Sequence, residues 1–483
     1  MKLTMPLIKL SSDIKLQQHQ KDANKQLNKS KSLIANHGLG SGKSLTSIMA
    51  GEKHPEESKL VVAPASLLHN YKKELHKFNI SDKNYHLVSY EKFRKNPNSF
   101  IDKYKPGLLI ADEFHRTQNS DALIGSSIRS IRPKVKRFLG LSGSIAGNHP
   151  SEIGELLHTA TGYPVLGNNP KEFKKYFIHE KQIKPGFIGR LMGRKPGIIE
   201  EAKHLDKFKE IAGKYINTFR GSEEYNKHIP KIEEEIKRIP MSKEQQGYYN
   251  YTLKQAPAWL RYKISHNLPT SKQESVNLNA FSLAARQVSN SIKPYGGSSH
   301  TPKMDAVISD IIGGMKADKN FKSVIYSNFL ESGLNPISER LKKHKIPFGS
   351  FTGQQTNLER NQMVHDYNKG KLKTLLISPA GGEGLDLKNT KMMQILDQSW
   401  NPQKTRQAIG RTARFKSHES LPLEDRKVKV IQYLSEPRLG LFGKIKKYFR
   451  PNTHKTAIDE YMRNRGLEKQ ELNDQFTNVL GQN

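Results

Sequence analysis

The 483 residues are enough for about three domains of ordinary size. The absence of cysteine excludes disulfides, thiolate zinc sites and thiol catalysis. Eighty Lys+Arg against 46 Asp+Glu leave a formal charge of +34, a field that draws polyanions, nucleic acid foremost. The first residues, Met1 to Pro6, lack the apolar core of a signal peptide, and no apolar run reaches the length of a spanning helix. A soluble, intracellular, non-secreted monomer is expected.

In chain order, Leu16–Gln20 precedes the first apolar run. The Gln20 amide offers the paired donor and acceptor that read an adenine edge. A glutamine-rich helix face with no such role fits equally well. The run Ser32–Asn36 reads as a strand, and Gly38-Leu39-Gly40-Ser41-Gly42-Lys43-Ser44 follows it, ahead of a helix-compatible stretch Leu45–Ala50. Strand, glycine turn and helix is the order a phosphate loop requires. Its glycines let backbone N–H groups of Gly38, Gly40, Ser41 and Gly42 curl round phosphate oxygens at a helix N-terminus. Lys43 then reaches the β/γ-phosphates of ATP, and the Ser44 hydroxyl is placed for Mg²⁺.

Further strands are expected at Leu60–Ala63, Leu108–Asp112 and Arg137–Leu141. The run Leu108–Asp112 closes on Asp112-Glu113, where Asp112 suits Mg²⁺ and Glu113 the attacking water. An isolated Asp-Glu pair is usually a solvated turn; the strand before it and the phosphate loop upstream favour the catalytic reading. His115 just beyond is either a relay or a structural hydrogen-bond partner.

From 163 to 299 the character changes to Lys, Glu and Tyr with helical periodicity, ending in the turn-rich linker Pro294–Pro302. Strands recur at Ser323–Ser327, Thr374–Ser378, Met392–Leu396 and Val428–Leu434. The expected fold is α/β: two parallel-sheet lobes, 1–162 and 300–440, a mainly helical insertion at 163–299, and a basic helical extension at 441–483. Within the insertion the charged run Lys231–Lys237 is followed by Met241–Tyr249, which brings charge together with aromatics, and within the extension Lys444–Arg450 is a basic run with aromatics interleaved. Phosphate tracking and a plain solvated helix face account for them equally well.

The ordered segments resemble superfamily 2 helicases, and within them the Swi/Snf-like double-stranded DNA translocases. Val61–Glu74 resembles motif Ia, Ser89-Tyr90-Glu91 motif Ib, Leu141–Ser144 motif III and Ile325–Ser327 motif IV. Ser378–Leu387 is similar to motif V, and Trp400–Gln403 with Gln407–Arg414 to motif VI and its approach. The resemblance implies two RecA-like lobes with ATP between them. Arg411 and Arg414 would act as arginine fingers, and Gln407 as a γ-phosphate or water contact. Gly384 and Asp386 are implied near the ribose. Ser66, Ser89, Tyr90, Ser327, Ser378, Gly381 and Gly382 are implied at the nucleic-acid backbone, where small residues let N–H groups approach phosphate.

His37 at the head of the loop, Phe114-His115 after the carboxylates, and Tyr71 in place of tryptophan depart from the Swi/Snf pattern. The histidine-leading loop is more similar to that of the related viral nucleoside triphosphatases involved in transcription, for which a host-cell cytoplasm is expected. The expected activity is an ATP- and Mg²⁺-dependent motor on duplex or branched DNA. An RNA-acting, transcription-associated NTPase is the alternative, and a non-catalytic basic DNA-binding scaffold a third, requiring decay of residues that are all intact.

Overall fold

In the first apolar run every position of strand β1 (Ser32–His37) is buried, as in a parallel strand covered on both faces. The computed structural model describes residues 15–38, 40–118, 123–184, 196–379, 385–438 and 456–481. In it β1 lies in a six-stranded sheet with β2 (Lys59–Ala63), β3 (Tyr85–Ser89), β4 (Leu108–Asp112), β5 (Arg137–Ser142) and β8 (Ile216–Phe219), in the order β3-β2-β4-β5-β1-β8. All neighbours are parallel. The chain therefore returns over the sheet through helices. Among them are α1 (Gln18–Ser30), α2 (Lys43–Glu52) and α3 (Ala65–Lys77).

A second six-stranded sheet joins β9 (Lys231–Pro240), β10 (Ser323–Tyr326), β11 (Phe348–Phe351), β12 (Thr374–Ile377), β13 (Met392–Ile395) and β14 (Lys427–Glu436). Its order is β11-β12-β10-β13-β14-β9, again parallel throughout. Helices used below are α4 (Lys272–Asn290), α5 (Pro302–Ala317), α6 (Pro402–Thr412) and α7 (Ile458–Val479). Apolar clusters cover both faces of each sheet. Ile34, Leu109 and Phe138 lie on one side of the first sheet and Leu33, Val61 and Ile110 on the other; Ile325 and Leu376 are opposed by Val324 and Leu375 in the second. These are two RecA-like α/β lobes.

The insertion is mainly helical, but it also supplies strands that its composition conceals. β8 extends the first sheet beside β1, and β9 runs against β14 from Lys231↔Lys427 to Pro240↔Glu436. A further two-stranded sheet pairs β6 (Ile178–Ile183) with β7 (Gly197–Ala202). The Lys231–Lys237 stretch is thus an edge strand, not a helix face. Its Lys and Glu side chains suit an edge, where charge deters pairing with another chain.

The chain divides into two compact units. The first comprises Met1–His179, Ala202–Ser222 and Leu472–Asn483; the second comprises Glu180–Glu201 and Glu223–Glu471. Among the described residues no helix is long and apolar enough to cross a membrane.

Candidate active site

In the first unit the loop after β1 turns at Gly40 and Gly42, with φ of 81° and 76°. An L side chain rarely adopts these values, and a Cβ at Gly42 would lie 2.6 Å from Gln20 Nε2. The Ser41 hydroxyl donates to the Gly38 carbonyl at 2.7 Å. Lys43 opens α2, and its ammonium donates to the carbonyls of His37 at 3.0 Å and Gly38 at 3.1 Å. The loop therefore curls round its own lysine, with Ser44 in the first turn of the helix.

Helix α1 braces this loop from behind. Gln20 Nε2 donates to the Gly42 carbonyl at 3.2 Å, and Gln20 Oε1 accepts from the Gln17 N–H at 2.9 Å. The amide expected at an adenine edge is buried and tied to backbone at both ends. In this structure Gln20 holds the loop. His19 Nε2 lies 3.0 Å from the Ser41 carbonyl, while its ring stacks on Phe219 at 3.6 Å and 6°.

His37, one of the departures from the Swi/Snf pattern, is fully buried with Nε2 at 2.8 Å from Asn217 Oδ1. Burial pushes its pKa down to about 4, so the ring is neutral. A carbonyl oxygen as partner fixes the proton on Nε2. Asn217 and Phe219 both belong to β8, and sequence reasoning missed them because the short Ile216–Phe219 strand carries no motif.

The carboxylates sit at the end of β4. Asp112 Oδ1 accepts from the Glu113 N–H at 2.9 Å, and Glu113 takes a left-handed backbone with φ 51°. Burial, reinforced by the neighbouring Glu113 charge, pushes Asp112 up to about 6, while Lys43 pulls it down. His115 Nδ1 lies 3.4 Å from Glu113 Oε2 and 3.4 Å from the Ser142 hydroxyl. The ring thereby joins the end of β4 to the end of β5. Tyr90 is fully buried and donates to the Asp112 carbonyl at 2.7 Å. Ser89 is buried too, its hydroxyl accepting from the Lys92 N–H at 3.3 Å. Ser66, at the first turn of α3, is exposed. Tyr71, deeper in α3, lies 2.9 Å from the Ser47 hydroxyl, which itself donates to the Ser44 carbonyl at 2.8 Å. A tryptophan there could not present that hydroxyl.

In the second unit Asn401 caps α6, accepting from the Gln403 N–H at 2.9 Å, and Pro402 takes the first turn. Gln407 and Arg411 are four residues apart on this helix, hence on one face. Arg414 follows its end; all are half-buried. Ser327 is fully buried with its hydroxyl on Asp397. Ser378 is buried. Asp386 is exposed, its backbone carbonyl accepting from Asn368 at 3.0 Å. Gly381, Gly382 and Gly384, like Lys444–Arg450, lie outside the described residues.

A parallel sheet that ends one strand in a glycine loop with lysine, and a second in Asp-Glu, defines a P-loop nucleotide hydrolase. Residues 303–416 match the helicase conserved C-terminal domain. An Acanthamoeba polyphaga mimivirus protein, provisionally named an ATP-dependent RNA helicase, is 27% identical over 96% of both chains. An African swine fever virus homolog of the termination factor NPH-I is 23% identical over 93% of this chain and 75% of its own. A Sulfolobus solfataricus SWI2/SNF2 ATPase core solved with dsDNA aligns at 17% identity over 96% of this chain and 97% of that chain, with a TM-score of 0.37. The ordered motifs and these sequence relatives support a superfamily 2 helicase of the Swi/Snf-like group, an ATP hydrolase.

Proposed function

We propose that the protein is a motor that couples Mg²⁺-ATP hydrolysis to movement along duplex or branched DNA. The observation that carries this reading is the first-unit arrangement: Lys43 curled into the loop, and Asp112 half-buried beside Glu113 at the end of β4. Lys43 would neutralise the β/γ-phosphates. The Ser44 hydroxyl and Asp112 carboxylate fit Mg²⁺, which prefers hard oxygen ligands; a divalent cation would hold ionised a carboxylate that burial otherwise raises. Glu113 would orient the attacking water, and Gln407, Arg411 and Arg414 would stabilise the transferring phosphoryl group. Ser66 is the exposed candidate for a strand phosphate.

The relatives' names support a second reading, an RNA-acting or transcription-associated NTPase. Backbone-reading contacts do not report the sugar. The test is steady-state ATP hydrolysis at low salt with no polymer, duplex DNA, single-stranded DNA or RNA. Stimulation by duplex supports the DNA motor. Stimulation by RNA or single strands alone replaces it with the second reading, and a rate near zero with every polymer supports the scaffold.

A further inference from the structure

The second unit contains a chain of buried charged groups that the ATPase motifs do not include. Lys303 of α5 donates to Asp459 Oδ2 of α7 at 2.6 Å, and both side chains are fully buried. The same ammonium donates to Asn290 Oδ1 and to the Leu396 carbonyl, each at 3.0 Å. Asn290, the last residue of α4, turns its Nδ2 to Asp397 Oδ2 at 3.2 Å. Asp397 is fully buried as well; it accepts from the Ser327 hydroxyl, from the Asn328 N–H at 3.1 Å and from the Asn328 amide at 2.5 Å. Arg286, one turn back in α4, lies 3.7 Å from Asp397, donates to the Gln398 carbonyl at 2.8 Å and covers the Phe329 ring at 4.8 Å.

The two carboxylates are thus balanced by two cations, with the Asn290 amide bridging the pairs. Leu396, Asp397 and Gln398 are gripped in succession, by Lys303, by Asn290 and Ser327, and by Arg286. That segment leads directly to Asn401, which caps α6, and Trp400 between them meets Tyr461 of α7 edge-on at 6.3 Å. Buried ion pairs add little stability over well-packed apolar residues, whereas their directional hydrogen bonds fix geometry. A network of this kind, aimed at one segment, is suited to setting position.

We infer that Asn290, Lys303, Asp397 and Asp459 are positioning residues: through them the insertion helix α4 and the C-terminal helix α7 set the place of α6 and its arginines. The inference rests on the proposed role of Arg411 and gives the insertion and the C-terminal helix a part in hydrolysis.

The test compares Asn290→Leu, the paired substitution Lys303→Met/Asp459→Leu, Arg411→Ala, and Asn290→Leu combined with Arg411→Ala, all in the full chain. Polymer-stimulated kcat, ATP KM and thermal melting are measured for each. Misplacing a catalytic group by about 1 Å can cost up to ~100-fold, so kcat of Asn290→Leu should fall at least about tenfold with ATP KM little changed. The paired substitution removes both buried charges together and should fold; it should show the same split. The combined variant should be no slower than Arg411→Ala alone. A loss in Arg411→Ala alongside unchanged kcat in the folded network variants overturns the inference alone, as do losses that multiply in the combined variant. Full turnover by Arg411→Ala overturns the arginine reading and the inference with it.

Discussion

The Tyr90 hydroxyl donates to the backbone carbonyl of Asp112 at 2.7 Å, from a ring with no solvent exposure. The residue after β3 thereby holds the turn in which Glu113 adopts its left-handed backbone. Removing the hydroxyl alone leaves a buried carbonyl short of a donor, at about 1–3 kcal/mol. Tyr90→Phe should lower the melting temperature modestly and reduce kcat about tenfold through misplacement of Glu113, with ATP KM little changed. Unaltered turnover would show that this bond serves stability only.

Glu113→Gln keeps the size of the side chain and removes the charge that orients water. Its stimulated kcat should drop by ~10²–10⁴ while nucleotide still binds. Lys43→Ala removes the loop's cation, and its loss should appear in nucleotide affinity as well. Steady-state kinetics with a fluorescent-nucleotide titration separates the two. Full stimulated turnover by either variant would refute the site assignment.

His37 links pH to stability. Its folded pKa, depressed by burial to about 4, lies below the ordinary 6.5, so the unfolded chain binds the additional proton between those values. The stability due to the neutral buried ring is fully present above pH 6.5 and is lost as pH falls towards 4, to a limit of about 3 kcal/mol. Urea midpoints of the parent and His37→Gln, taken across that range, should differ in slope, with the variant flatter. Parallel curves would place the acid sensitivity elsewhere.

The strands at the centre of both sheets were legible because buried parallel strands are continuous apolar runs, and Leu108–Asp112 is observed with its expected bounds. The phosphate loop was legible from glycine, lysine and serine in one order between strand and helix. β8 and β9 were not. β9 carries a run of glutamates, Glu233–Glu235, between Lys231 and Lys237, and its register against β14 defines it. Side-chain direction was equally hidden. Ser89, Tyr90 and Ser327 occupy motif positions at strand ends, yet their hydroxyls serve Lys92, Asp112 and Asp397. Gln20 likewise faces the phosphate loop, because capping fixes which way α1 presents it. The Lys303–Asp459 pair joins residues 156 apart in sequence, beyond the reach of any local pattern.

Under the proposed function, hydrolysis drives movement along duplex DNA. Displacement of a triplex-forming strand from a duplex, followed with ATP for the parent and for Glu113→Gln, measures that movement directly. Displacement by the parent that requires ATP and is absent in Glu113→Gln is the predicted result. Duplex-stimulated hydrolysis with no displacement, or displacement that persists in Glu113→Gln, would contradict it.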